Sequence, residues 1–161
     1  MPQPLSPPAS TPTRFFEDFT VGESFDLGAM PRFTEASIVA FAGQYDPQPF
    51  HLDPVAARGS IFGGLVASGW QTVAGYMRLL VERVLSQTPS MGSPGVEEVR
   101  WPQPVRPGDV ISGQLTVVAI RPSLSRPEMG IVRWKGEARN QAGEIVLSMS
   151  WVNFIGRRKA G

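Results

Sequence analysis

The amino-acid sequence predicts an α+β domain in which an antiparallel β-sheet wraps around one long α-helix. Three observations lead to that fold class. A single extended helical pattern opens at Ser68-Gly69-Trp70-Gln71, strand-like segments fill the chain after it, and a turn cluster, Asn140-Gln141-Ala142-Gly143, joins the last two of them as a hairpin. With 161 residues, 42% apolar and 18% charged, the chain has the size and composition of one globular domain with a substantial core.

Taken in order, the elements begin after a Pro-rich start. Pro2, Pro4, Pro7, Pro8 and Pro12 leave few backbone donors and little apolar surface, so residues 1–13 are expected to form a flexible arm. The domain is placed at residues 14–156, entered through Phe15, Phe16 and Phe19. Val21-Gly22-Glu23 marks a turn into a short strand over residues 24–30. Thr34 offers an N-cap, and Ile38, Val39, Phe41 and Ala42 recur at helical spacing up to Gly43, an expected stop. The stretch YDPQPFHLDP that follows, from Tyr45 to Pro54, carries three prolines in ten residues and is expected to be neither helix nor central strand. Asp53-Pro54 reads as the cap of a brief helix around residues 55–58.

Ser68 and Gln71 have the spacing of a capping box and open the longest helix, to about Leu85. Trp70, Val73, Tyr76, Met77, Leu80 and Val84 leave only a narrow polar stripe of Gln71, Arg78 and Glu82, so this helix is expected to be buried nearly all round. Strands are expected at 96–101, 109–120, 129–139 and 144–155. In the third of these, Val132, Trp134, Gly136 and Ala138 alternate with Arg133, Lys135, Glu137 and Arg139, the pattern of an antiparallel strand with one face on a core. The basic tail, residues 157–161, is expected to be a solvated end.

Composition also removes function classes. A formal net charge of +1 gives no field to hold a polyanion, so neither nucleic acid nor a membrane surface is the expected partner. The absence of cysteine excludes thiolate nucleophiles, disulfides, iron-sulfur ligation and Cys-type zinc sites. One histidine excludes any site that needs two from one chain. No metal and no other cofactor is expected. No export signal and no apolar run of membrane-spanning length is visible, which leads to the expectation of a soluble, cytoplasmic protein.

The remaining chemistry concentrates around the one histidine, His51, five residues after Asp46 in the Pro-stiffened loop. A rigid loop can turn a carboxylate and an imidazole toward one point, where they hold and polarise a water molecule. The same spacing also suits an ordinary Asx turn and a loop histidine. Gly69 is the second candidate. The first N–H groups of a helix lack partners within it and lie at the positive end of its dipole, and a glycine leaves them open to a carbonyl oxygen. One such donor is worth roughly 3 kcal/mol to an oxyanion. Close helix packing would equally call for glycine there.

The run FAGQYDPQPFHLDPVAARGSIFGGLVASGW, residues 41–70, resembles the hydratase motif of the MaoC-like dehydratases, the hot-dog-fold (R)-specific enoyl-CoA hydratases. That motif sets Asp five residues before His in a D-x-N-P-x-H-x-D stretch and then a glycine at the start of the central helix. VRWPQPVRPGDVI, residues 99–111, is similar to the strand, turn and strand that follow in the family, and the likeness covers roughly residues 16–155. The resemblance implies a hot-dog fold and reversible hydration of a 2-enoyl-CoA to the (R)-3-hydroxyacyl-CoA. It implies Asp46 and His51 as the pair that activates water, and the Gly69 N–H as oxyanion donor. Coenzyme A would enter only as part of the substrate, and a homodimer with the site near the shared interface is the implied assembly. Two positions depart from the pattern. Gln48 stands where many members have Asn, and Ser68 where the family usually has His; both are taken as substrate-binding candidates. Arg58, Arg83 and Arg106 are further candidates for the phosphates of coenzyme A, with nothing to choose between them. The same fold also supports acyl-CoA thioesterases and non-catalytic acyl-CoA-binding subunits, and crotonyl, medium-chain, mesaconyl-type and carrier-protein thioesters all fit the sequence.

Overall fold

A computed structural model describes residues 11–159. Alternation along the strands sets the architecture. Strands β1 (Ser24–Ala29), β2 (Val96–Arg100), β3 (Ser112–Pro122), β4 (Met129–Arg139) and β5 (Ile145–Gly156) form one sheet in the order β1-β3-β4-β5-β2, every neighbouring pair antiparallel. In β4 the Val132, Trp134 and Ala138 side chains are fully buried while Lys135 and Arg139 face solvent. Leu115 and Val117 of β3 and Leu147 and Ile155 of β5 join them on the inner face. The β4–β5 hairpin expected from the turn cluster is formed, its ladder running from Met129 opposite Gly156 to Arg139 opposite Ile145.

Four helices precede most of the sheet: α1 (Glu35–Tyr45), α2 (Pro49–Leu52), α3 (Pro54–Arg58) and α4 (Gly69–Arg83). The inner face of α4 carries Thr72, Tyr76, Leu79 and Leu80 into the curve of the sheet. Each large apolar side chain buried this way contributes about 1.5–3 kcal/mol. Tyr76 fixes the helix in place: its hydroxyl donates to the Gln114 carbonyl of β3 at 2.7 Å. Burial first, and then the nearby Glu137, push the pKa of that phenol upward, so it remains a donor. Room for the ring comes from Gly136. A Cβ there would stand 2.6 Å from the Tyr76 hydroxyl and 2.9 Å from the Trp151 ring.

Four sequence expectations are corrected. Helix α1 runs through Gly43 to Tyr45 and is closed by Asp46, whose N–H donates to the Ala42 carbonyl. The Pro-rich stretch contains a helical turn after all, α2, because Pro49 sits at its first position, where a missing N–H costs nothing. Helix α4 is not buried all round: Trp70 is 56% and Met77 48% exposed, on the face turned away from the sheet. Its capping box is half formed. Ser68 accepts from the Trp70 N–H, but the Gln71 amide reaches the Ser37 carbonyl of α1 instead of turning back.

At the chain ends, residues 1–10 of the expected arm lie outside the described residues, while the Thr13 N–H donates to the Gln87 carbonyl. The basic tail is not free in solvent over its first residues. Arg157 bonds to Glu17 and Arg158 to Asp18, which fold it onto the short 3-10 turn Phe16–Asp18. Among the described residues no helix is long and apolar enough to cross a membrane.

Gly136→Ala is expected to force either Tyr76 or Trp151 from its place, an overpacking cost of about 1–3 kcal/mol. Urea unfolding of the two proteins checks it, as a lowered midpoint with an unchanged slope.

Candidate active site

The site is assembled by backbone bonds before any side chain takes part. Asp46 is the C-cap of α1, the Gln48 N–H donates to the Asp46 carbonyl, and the His51 N–H donates to the Gln48 carbonyl. These bonds wrap residues 46–51 into one rigid turn, with Asp46 and His51 at its two ends. A second segment is laced to it. The Val66 N–H donates to the Phe50 carbonyl, the Ala67 N–H to the Val105 carbonyl, and Ser68 then caps α4.

His51 is buried, and its Nδ1 lies 2.6 Å from the Val66 carbonyl oxygen. A carbonyl oxygen can only accept, so Nδ1 carries the proton and Nε2 of the neutral ring is the acceptor. Nε2 in turn is 3.3 Å from Asp46 Oδ2. Two acceptors at that separation favour a proton or a water molecule that can donate to both.

Both oxygens of Asp46 are held. Gln48 Nε2 donates to Oδ1 and Ser68 Oγ donates to Oδ2, each at 2.7 Å. Desolvation pushes the Asp46 pKa up, but the Ser68 and Gln48 bonds, together with the charge of His51 when its ring is protonated, outweigh it and hold the carboxyl below its usual range. Asp46 is therefore a carboxylate at neutral pH.

Gly69 stands beside this pair at the start of α4. Among the described residues no acceptor receives its N–H. The packing reason for glycine is also present. The Trp101 indole lies against Gly69, its Nε1 donates to the Gly69 carbonyl at 3.1 Å, and a Cβ on residue 69 would fall 2.3 Å from the ring. Asp46, His51 and Gly69 line one cleft of about 410 Å³, walled by Phe50, Phe62, Trp70 and Trp101. A hollow of about 460 Å³ on the outer face of the sheet, bordered by Arg121, Ser123 and Arg133, holds none of the three.

Of the residues singled out in the sequence, Asp46, Gln48, His51 and Gly69 thus share the cleft. Ser68 lies behind its wall, fully buried. Among the arginines, Arg106 bonds to the Phe62 carbonyl near the cleft, whereas Arg83 lies against Gly28 of β1. Trp101 and the Val66 carbonyl are the contributors that sequence reasoning missed. A backbone carbonyl leaves no residue signature, and a tryptophan at a strand end reads as ordinary core. Among the described residues no three His, Cys, Asp or Glu side chains come together as metal ligands.

Residues 17–133 match the MaoC-like domain. The chain belongs to the MaoC-like dehydratase family. Its sheet order and embedded helix are the hot-dog fold. A crystal structure of a MaoC-like dehydratase from Rhodospirillum rubrum is 48% identical, covers 91% of this chain and 99% of its own, and superposes with a TM-score of 0.82. The (R)-hydratase from A. caviae, described as involved in PHA biosynthesis, is 25% identical, with 85% of this chain and 97% of that one covered and a TM-score of 0.69. Protein MaoC of Klebsiella aerogenes is 32% identical over 129 residues, 78% of this MaoC-like chain, which spans 38% of that protein's length.

Two measurements test the geometry of this MaoC-like site. Gly69→Ala should expel the Trp101 indole, seen as a changed near-ultraviolet circular dichroism with the far-ultraviolet spectrum retained. Because the Asp46 pKa is lowered on folding, its stabilising contribution is complete above the ordinary carboxyl value near 3.9 and is lost as pH falls through the lowered one. The stability gap between the parent protein and Asp46→Asn should therefore hold steady from about pH 7 to about pH 5 and shrink as pH falls below about 4 in urea titrations.

Proposed function

We propose that the chain catalyses the reversible hydration of a 2-enoyl-CoA thioester to the (R)-3-hydroxyacyl-CoA. The observation that carries this reading is the convergence of His51 Nε2 and Asp46 Oδ2, 3.3 Å apart, in a cleft that Gly69 also lines, its N–H without an acceptor among the described residues. The kinship with an (R)-hydratase supports the same direction.

In this reading a water donates one hydrogen to Nε2 and one to Oδ2, leaving an oxygen lone pair aimed at C3 of the enoyl group. As the C–O bond forms, the π electrons move to the α-carbon and the thioester oxygen. The Gly69 N–H meets that developing charge, helped by the dipole of α4. The proton taken from water stays on the Asp46–His51 pair and is then delivered to the α-carbon, so atoms and charge balance. In dehydration the same groups run in reverse. Gln48, on the cleft wall and bonded to Asp46, is assigned to the substrate-binding surface. Coenzyme A is part of the substrate, and the chemistry calls for no further cofactor. The exposed Trp70, on the cleft wall, and Met77, two turns further along α4, are assigned to a homodimer interface, a second copy covering what one chain leaves open.

Loss of conjugated enoyl-thioester absorbance on a panel of 2-enoyl-CoA substrates tests the proposal, with thiol release followed in parallel. Asp46→Asn and His51→Gln should each reduce turnover by about 10²–10⁴-fold with the fold intact. Full activity in either variant would falsify the assignment. Thiol release from saturated and unsaturated acyl-CoA alike would replace it with a thioesterase.

A further inference from the structure

Four consecutive residues, 66–69, touch every group of the proposed reaction. The Val66 carbonyl holds the His51 imidazole, the Ser68 hydroxyl holds the Asp46 carboxylate, and Gly69 lines the cleft at the first turn of α4. We propose that Ser68 is a positioning residue that locks the water-activating carboxylate in register with the oxyanion donor next to it in the chain.

The hydroxyl itself supplies the argument. Ser68 is fully buried, and it does not line the cleft, so it acts on neighbours and not on substrate. A helix cap needs only a lone pair, and Ser68 Oγ uses one to accept from the Trp70 N–H at 3.3 Å. Its single proton is left over, and it goes to Asp46 Oδ2 at 2.7 Å, a residue 22 positions upstream at the end of another helix. With both capacities committed, the hydroxyl cannot rotate, and the carboxylate is tied to the first turn of α4. Gln48 holds the other oxygen, but it sits two residues from Asp46 on the same loop and moves with it. Among the described residues Ser68 is thus the side chain that links Asp46 to the helix bearing Gly69. Register matters because a reacting group misplaced by about 1 Å can cost about 10²-fold in rate.

The same bond favours the ionised carboxylate, and the ionisable group facing Asp46 is His51. Removing the donor should therefore raise the Asp46 pKa and move the acid limb of kcat/KM to higher pH. The register role rests on the hydratase reading, while the effect on Asp46 ionisation does not.

The experiment has two arms on the full chain. In the first, the Asp46 carboxyl is titrated by carbon-13 NMR without substrate in the parent protein and in Ser68→Ala, with far-ultraviolet circular dichroism to confirm folding. An upward shift is expected; an unmoved titration in folded protein overturns the link. In the second, kcat and KM are measured for Ser68→Ala and Ser68→Thr on the enoyl-CoA that the parent protein turns over best. Ser68→Ala should lower kcat about 10–100-fold with KM within about twofold, and Ser68→Thr, which keeps the hydroxyl, should recover most of it. The double variant with Asp46→Asn should be no slower than Asp46→Asn alone, since the partner is already gone. Additive losses, or loss in KM alone, would reduce Ser68 to a helix cap. If the parent protein hydrates no enoyl-CoA, the proposed activity fails and the titration still decides whether Ser68 controls Asp46.

Discussion

The acceptor-only chemistry of one carbonyl oxygen, that of Val66, sets the tautomer of the one histidine in the cleft. It obliges His51 to carry its proton on Nδ1, which leaves Nε2 of the neutral ring facing Asp46 with an unprotonated lone pair. A histidine held the other way round would donate to the carboxylate from Nε2 and offer no acceptor there. The imidazole's tautomer is thus written into the backbone path of residues 66–68, and that path is in turn fixed by its bonds to Phe50 and Val105.

Packing transmits the same demand to the rest of the molecule. Helix α4 can offer its first turn to the cleft only if its body is immobile, and the Tyr76 bond to β3 over the bare backbone of Gly136 provides that. Trp101, seated on Gly69 at the end of β2, presses on the other end. Glycine at position 69 is required by the indole, a packing partner outside the helices, and its N–H has no acceptor among the described residues.

How much of this was legible beforehand follows the range of the physics involved. The strands were readable because alternation is local: Val132, Trp134 and Ala138 against Arg133, Lys135 and Arg139 declare which face is inside. Pairing of Asp46 with His51 was readable through spacing and family likeness, although spacing alone also fitted an Asx turn. Helix α2 was not, since three prolines outweighed the one whose position at a helix start is harmless. The bare outer face of α4 was missed because an apolar side chain reads as buried whether its cover comes from its own chain or from elsewhere. Ser68 looked like a cap, and its second bond, to a carboxylate across the fold, has no signature in sequence distance.

The folding of the basic tail onto the first turn of the domain has a consequence for how such a unit is joined to others. Ion pairs of Arg157 with Glu17 and Arg158 with Asp18 bring the beginning and the end of the fold side by side. As exposed pairs they add little stability, but adjacency of the ends means that a short connector suffices to close the chain into a ring. The backbone can then be reopened at a surface loop such as residues 140–143, well away from 46–51 in sequence, to give a circular permutant with the same sheet order.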